Sequence, residues 1–143
     1  MPDIEPVPDM HPVATLPETA RSPRVLVIED DRHVRSLLCD LLEMWGYATD
    51  AAGDGHDGLR RLAEARYDAV VTDFKMPGIS GLTVAERARE SAPGTPVIIV
   101  TAYAGDLEAH RARLGFAVLQ KPVDFEHLRR VVGDAVARSA SPP

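Results

Sequence analysis

Four short apolar runs, each ending in a polar group, constrain this chain more than any other feature. They are Arg-Val-Leu-Val-Ile-Glu-Asp-Asp (24–31), Ala-Val-Val-Thr-Asp-Phe-Lys-Met-Pro-Gly (69–78), Val-Ile-Ile-Val-Thr-Ala (97–102) and Val-Leu-Gln-Lys-Pro (118–122). Runs this short and this uniformly apolar read as strands buried on both faces. Each then delivers a polar group: Glu29 and Asp30, Asp73, Thr101, Lys121. If the strands lie parallel, these groups emerge along one edge of one sheet, where open α/β sheets bind ligands. Carboxylates facing a hydroxyl and a lysine suggest a magnesium and phosphoryl site.

Helical patterns fill the intervals. Val34, Leu37, Leu38, Leu41, Leu42 and Trp45 recur at helical spacing as one apolar stripe, and Gly46 ends it. Residues 47–52 read as a weaker edge strand. Residues 55–65 read as a helix with Leu59 and Leu62 inward. Ser80 opens a helix to about Ser91, with Leu82, Ala85 and Ala88 or Arg89 near its inner face. Pro93-Gly94-Thr95-Pro96 is a loop. Residues 106–114 give a short helix, and 125–138 a last one carrying Phe125, Leu128, Val132 and Ala135 on one face. Five strands alternating with five helices predict a parallel sheet covered on both sides, with right-handed crossovers.

The ends differ in composition. Residues 1–23 hold six of the twelve prolines. At that density helix is blocked and backbone donors are lost, so the segment reads as a disordered arm. Residues 139–143, Ser-Ala-Ser-Pro-Pro, read as a second tail. The expected organisation is an arm over 1–23, one domain over 24–138 and a tail over 139–143.

Bulk properties exclude several function classes. A chain of 143 residues supports one compact domain. Its net charge of −6 argues against nucleic-acid binding as the main business. One cysteine, Cys39, allows no internal disulfide, which fits a reducing compartment. No run approaches the roughly 20 apolar residues of a membrane span, and the acidic start lacks the marks of a signal peptide. The expected location is the cytoplasm, without membrane contact.

Glu29-Asp30, Asp73 followed by Met76-Pro77-Gly78 and Gly81, Thr101-Ala102, and Lys121-Pro122 together resemble the receiver domain of two-component response regulators, over roughly residues 24–138. Any one of these motifs is weak, but five in order, each after an apolar strand, are specific. The resemblance implies a flavodoxin-like doubly wound sheet of strand order 2-1-3-4-5, an order that general rules of α/β topology already illustrate with a receiver of this family. It makes Asp73 the phosphoacceptor for a histidine kinase or phosphotransfer protein. Asp30, Asp73 and the backbone carbonyl of Lys75 would ligate Mg2+, with Glu29 acting through a water. Thr101 and Lys121 would hold phosphoryl oxygens. Ala102, Tyr103, Val118 and Pro122 would modulate, and the Lys121–Pro122 peptide would be cis. Phosphorylation would repack the face of the fourth helix, fifth strand and fifth helix, where a downstream protein or a second copy docks. His127, Arg129 and Arg130 lie on the last helix there.

Elementary electrostatics agrees with a metal. Like charges about 5 Å apart cost about 3 kcal/mol per pair at an effective dielectric of about 20. Three bare carboxylates are therefore unfavourable, and either protons or a divalent cation relieve them. Oxygen ligands favour magnesium, and the five scattered histidines offer no zinc cluster. Structural roles compete for each residue alone: Asp30 or Asp31 as helix cap, Asp73 as turn residue, Thr101 as strand end, Lys121 as solvated lysine. Asp31 is the expected cap.

Two departures from the family pattern stand out. Val118 occupies the place of a common aromatic switch residue, three before Lys121. The interval from Thr101 to Lys121 is about two residues short, so the fourth helix should be short or irregular. Tyr103 and Phe116 are the nearby rings, with Phe116 the better candidate for the core. Two other classes remain beside the phosphoacceptor. One is a phosphorylation-independent interaction module, which needs no acceptor at Asp73. The other is an aspartyl phosphohydrolase, which commonly places a second Asp where this chain has Lys75. No DNA-binding output domain is encoded in these residues, and turnover of an external substrate is not expected.

Overall fold

The computed structural model describes residues 22–140. Five parallel strands form one sheet in the order β2-β1-β3-β4-β5: β1 Arg24–Ile28, β2 Ala48–Ala52, β3 Ala69–Asp73, β4 Val97–Thr101 and β5 Ala117–Gln120. Helices α1 Arg32–Met44, α2 Gly55–Glu64, α3 Gly81–Ser91, α4 Glu108–Leu114 and α5 Phe125–Ala140 alternate with them. The expected fold class and strand order are therefore the observed ones.

The alternation of side chains along β1 builds both layers. Leu26 and Ile28 join Leu62 of α2, Val84, Ala85 and Ala88 of α3, Leu107 and Phe116 on one face. Val25 and Val27 join Leu38 and Leu42 of α1 and Leu128, Val132 and Ala135 of α5 on the other. The central strands are thus covered twice, which is why Val25–Ile28, Ala69–Val71 and Val97–Val100 are uniformly apolar.

Local chemistry sets the helix starts. Asp31 accepts from the N–H groups of His33 and Val34, at 2.8 and 3.1 Å. Asp54 caps α2 through Asp57 N, Ser80 caps α3 through Thr83 N, and Asp124 accepts from Glu126 N and His127 N. Each satisfies donors that a first helical turn leaves open. Gly46, with φ +100°, turns the chain out of α1 in a conformation costly for any other residue.

Several boundaries and faces differ from expectation. Val34 and Leu37 are exposed, because α1 meets the sheet through Leu38 and Leu42, with Cys39 and Trp45 partly buried beside them. Phe125 is 45% exposed: it stands at the first turn of α5, and burial begins at Leu128. Val84 shares the buried face of α3, while Leu82 is half-buried and Arg89 exposed. The segment before β5 starts as a 3-10 turn at Ala104–Leu107 and only then becomes the seven-residue α4, fitting the short interval. Helix α5 continues through Ser139 to Ala140, the first two residues of the expected tail; residues 141–143 lie outside the described residues. The proline-rich arm also lies outside them, except Ser22 and Pro23, where the Pro23 carbonyl accepts from Ala48 N at 2.8 Å.

Candidate functional site

The parallel register brings the polar strand ends together. Glu29 and Asp30 follow β1, Asp73 closes β3, Thr101 closes β4, and Lys121 follows β5. Ligand oxygens of Glu29, Asp30 and Asp73 all lie within 4.8 Å of one another. Lys121 Nζ lies 3.1 Å from Asp73 Oδ1. The capping role that could have claimed Asp30 falls to Asp31, which caps α1.

Burial is graded across the carboxylates: Glu29 is 5% exposed, Asp73 intermediate and Asp30 exposed. Burial pushes the Glu29 carboxyl up from 4.5 to about 7. The Asp31 N–H, 3.0 Å from Glu29 Oε2, opposes that shift. The Asp73 charge and a hydrogen bond with Asp30 add to it, and Lys121 offsets part. A buried acid beside two other carboxylates thus holds its proton near neutrality unless another cation neutralises the cluster. Three hard oxygens with an open side suit a magnesium-sized ion that keeps several waters. Among the described residues, no histidine or cysteine joins such a group.

Backbone geometry fixes Asp73. Its Oδ1 accepts from Phe74 N at 2.9 Å, and its carbonyl accepts from Thr72 Oγ1 at 2.9 Å. Gly81 N donates to the Phe74 carbonyl at 2.7 Å. A Cβ on Gly81 would sit 2.2 Å from the Asp73 carbonyl oxygen. Helix α3 can approach the end of β3 this closely only through glycine.

Thr101 is buried, and its Oγ1 accepts from Tyr103 N at 2.9 Å. An oxygen that accepts there still has its own hydrogen to donate. Lys75 leaves the strand end outward, with Nζ 4.4 Å from the centroid of the Tyr103 ring. Tyr103 itself is half-exposed. Val118 is half-buried against the core, Ala102 is exposed, and the Lys121–Pro122 peptide is cis. Phe116 is 5% exposed and belongs to the core, so Tyr103 alone of the two rings faces the site.

Sequence reasoning passed over Gln120. Its amide donates to the Ala102 carbonyl at 2.8 Å and accepts from Ala104 N at 3.2 Å. No residue pattern signalled it: its place opposite Thr101 is set by the β4–β5 register.

The family model of the response regulator receiver domain matches residues 25–133. The chain belongs to that family. This receiver domain is 42% identical over 79 residues to the transcriptional regulatory protein DltR of Streptococcus agalactiae, covering 55% of the chain and 35% of the relative. It is 31% identical over 137 residues to the sensor histidine kinase AtsR of Burkholderia thailandensis, covering 92% and 23%. The domain thus spans about a quarter to a third of the length of such curated relatives. Among solved structures, the response regulator TrrA of Thermotoga maritima, in complex with Mg(2+)-BeF, matches with a TM-score of 0.73 and 32% identity over 79% of this chain and 98% of that one. A receiver domain from Clostridium thermocellum matches at 0.77 and 29%, over 81% and 95%. Receiver domains of two-component systems bind Mg2+ at an acidic pocket and interact with histidine kinases or phosphotransfer proteins. The cluster of Glu29, Asp30 and Asp73 is that pocket's counterpart. Among the described residues, no helix is long and apolar enough to cross a membrane.

Proposed function

We propose that this receiver domain accepts a phosphoryl group on Asp73 from a histidine kinase or phosphotransfer protein. The observation that carries the reading is the convergence of three carboxylates within 4.8 Å, with Lys121 Nζ 3.1 Å from the one that ends the central strand β3. An Asp73 oxygen attacks the phosphorus of a phosphohistidine. The P–N bond breaks, the imidazole nitrogen leaves with the electron pair and takes a proton from solvent, and an aspartyl phosphate remains. Asp30, Asp73 and the Lys75 carbonyl would hold Mg2+, with Glu29 acting through a water; the ion supplies charge neutralisation on the transferring oxygens. Lys121 pairs with a phosphoryl oxygen once Asp73 is phosphorylated, and Thr101 donates its hydroxyl hydrogen to another. These are positioning and electrostatic contributions.

The domain then works as a switch in the cytoplasm, not as an enzyme turning over an external substrate. Its output is protein contact at the face of α4, β5 and α5, with a downstream partner or a second copy. The side chains of His127 and Arg130 are exposed on α5 and available to such a contact, whereas that of Arg129 lies over the Trp45 ring beside α1, 5.9 Å from its centroid.

Intact mass after incubation with Mg2+ and a small-molecule phosphodonor tests the reading. Wild type gains one phosphoryl group, and Asp73→Asn gains none. If wild type binds Mg2+ yet gains none from the donor or from a cognate kinase, the domain is a phosphorylation-independent interaction module instead.

A further inference from the structure

Phosphoryl transfer to Asp73 needs the Thr101 hydroxyl at a defined place, and the structure contains a device that sets it. Thr101 ends β4 directly opposite Gln120 in the β4–β5 register. Lys121 N donates to the Thr101 carbonyl at 2.8 Å, so the two strand ends leave the sheet together. Beyond Thr101 the loop is not paired as a strand. Gln120 holds its backbone at two points: Gln120 Nε2 donates to the Ala102 carbonyl at 2.8 Å, and to the Lys121 carbonyl at 3.3 Å, while Gln120 Oε1 accepts from Ala104 N at 3.2 Å. The amide therefore grips the residues on either side of Tyr103. The Tyr103 N–H between them donates to Thr101 Oγ1 at 2.9 Å. The Tyr103 carbonyl, in turn, accepts from Asp106 N and starts the 3-10 turn that leads into α4.

One carboxamide thus connects the Thr101 hydroxyl, the Tyr103 ring above Lys75 and the start of the α4 segment. Only a primary amide of this length can do so, because the grip needs a donor and an acceptor on the same head. Glutamate would oppose the Ala102 carbonyl with a second acceptor, and leucine would supply neither group. The aliphatic Val118, which packs into the core, offers no ring to link Thr101 to the α4–β5–α5 face.

We infer that Gln120 is a positioning residue for phosphoryl transfer: its amide holds the 102–104 loop so that Tyr103 N–H orients the Thr101 hydroxyl, and it passes a shift of that hydroxyl on to α4. The inference rests on Asp73 being the phosphoacceptor. It assigns no contact between Gln120 and the phosphoryl group.

The test is a double-mutant cycle on the full chain. Phosphorylation by a small-molecule donor with saturating Mg2+ is followed by intact mass for wild type, Gln120→Leu, Thr101→Ala and the double variant. Amide hydrogen exchange at Tyr103 and Ala104 is measured in each without donor. Loss of the grip is expected to slow transfer by about threefold, as for one modest hydrogen bond, with Mg2+ affinity unchanged. The same substitution should have no further effect once Thr101 is alanine, since the group it positions is gone. Exchange at Ala104 should quicken in both backgrounds. Gln120→Glu should resemble Gln120→Leu. Slowing of equal size with and without the Thr101 hydroxyl would mean a general structural role and overturn the inference, as would an unaltered rate in Gln120→Leu. Unchanged exchange at Ala104 would show that the grip does not exist in solution. Wild type that takes no phosphoryl group at all overturns the parent reading and this role with it, an outcome distinct from a phosphorylated wild type matched by its variant.

Discussion

Lys121 Nζ lies 3.1 Å from Asp73 Oδ1, across the strand β4 that separates β5 from β3. The ammonium bridges over the end of β4, above Thr101, and lends its charge to a cluster with three carboxylates. Lys121→Ala removes that charge while leaving the carboxylates in place. Metal-free protein at pH 8 is then expected to lose stability by about 0.5 kcal/mol, a small figure because the lysine is 40% exposed and screened. Saturating Mg2+ should restore most of the loss, since a divalent ion supplies the missing positive charge. Thermal unfolding with chelator and with Mg2+ separates the two cases, and a loss of equal size in both would contradict the argument.

The raised Glu29 carboxyl gives a pH dependence of unusual sign. Its folded pKa of about 7 exceeds the ordinary 4.5. The folded state therefore binds more protons than the unfolded one between those values. Stability from this group is fully present below 4.5 and is lost as pH rises through 7. Glu29→Gln is neutral at every pH and can still accept from Asp31 N. In chelator, the variant is expected to match wild type near pH 4.5 and to be the more stable of the two at pH 8. With Mg2+ at pH 8 the order should reverse, because the ionised carboxylate then has a cation to face. Urea unfolding midpoints at the two pH values, with and without metal, check both signs.

How the sequence came to disclose the site but not all of the fold is clear from particular residues. Val25 to Ile28 and Val97 to Val100 are buried on both faces, so their apolar runs are unbroken, and the polar residue that follows each marks the strand end. The five motif elements were legible for the same reason: a parallel sheet puts every such end on one edge. Phe125 misled because helical periodicity does not fix which turn first meets the sheet, and Leu37 because the apolar stripe is wider than the face that α1 buries. Their neighbours Leu128 and Leu38 take the buried places. Gln120 was illegible because its role is a pair of hydrogen bonds to backbone atoms of a loop. Such bonds depend on the register of two strands and leave no pattern in residue types.

Gly81 tests how tightly the end of β3 is built. A Cβ there would lie 2.2 Å from the Asp73 carbonyl oxygen and 3.1 Å from Phe74 Cα, both backbone atoms with no freedom to swing aside. Gly81→Ala should therefore push α3 from the end of β3. A destabilisation of about 2–3 kcal/mol is expected, the range for overpacking a well-packed site, together with weakened Mg2+ binding as Asp73 shifts. Gly94→Ala, where an added Cβ meets nothing within 4 Å, is the control and should alter neither. Chemical denaturation and metal titration of the two variants decide it.

The Lys75–Tyr103 pair bears on how long a phosphoryl group would survive. Lys75 follows Asp73 by two residues and Tyr103 follows Thr101 by two, so each reaches out from one side of the site, and they meet with Nζ 4.4 Å from the ring centroid. A cation over an aromatic face at an exposed position is worth about 0.5–1 kcal/mol. If Asp73 carries a phosphoryl group, the pair would narrow the approach of an attacking water from this side of the site. Either Lys75→Ala or Tyr103→Ala is expected to raise the dephosphorylation rate of the aspartyl phosphate by roughly two- to fivefold, the rate equivalent of that contact energy. The double variant should be little faster than either single one, because each change alone opens the same path. Intact-mass time courses after removal of the donor give the four rates. Identical rates in wild type and the double variant would show that water reaches the phosphoryl group by a route the pair does not cover.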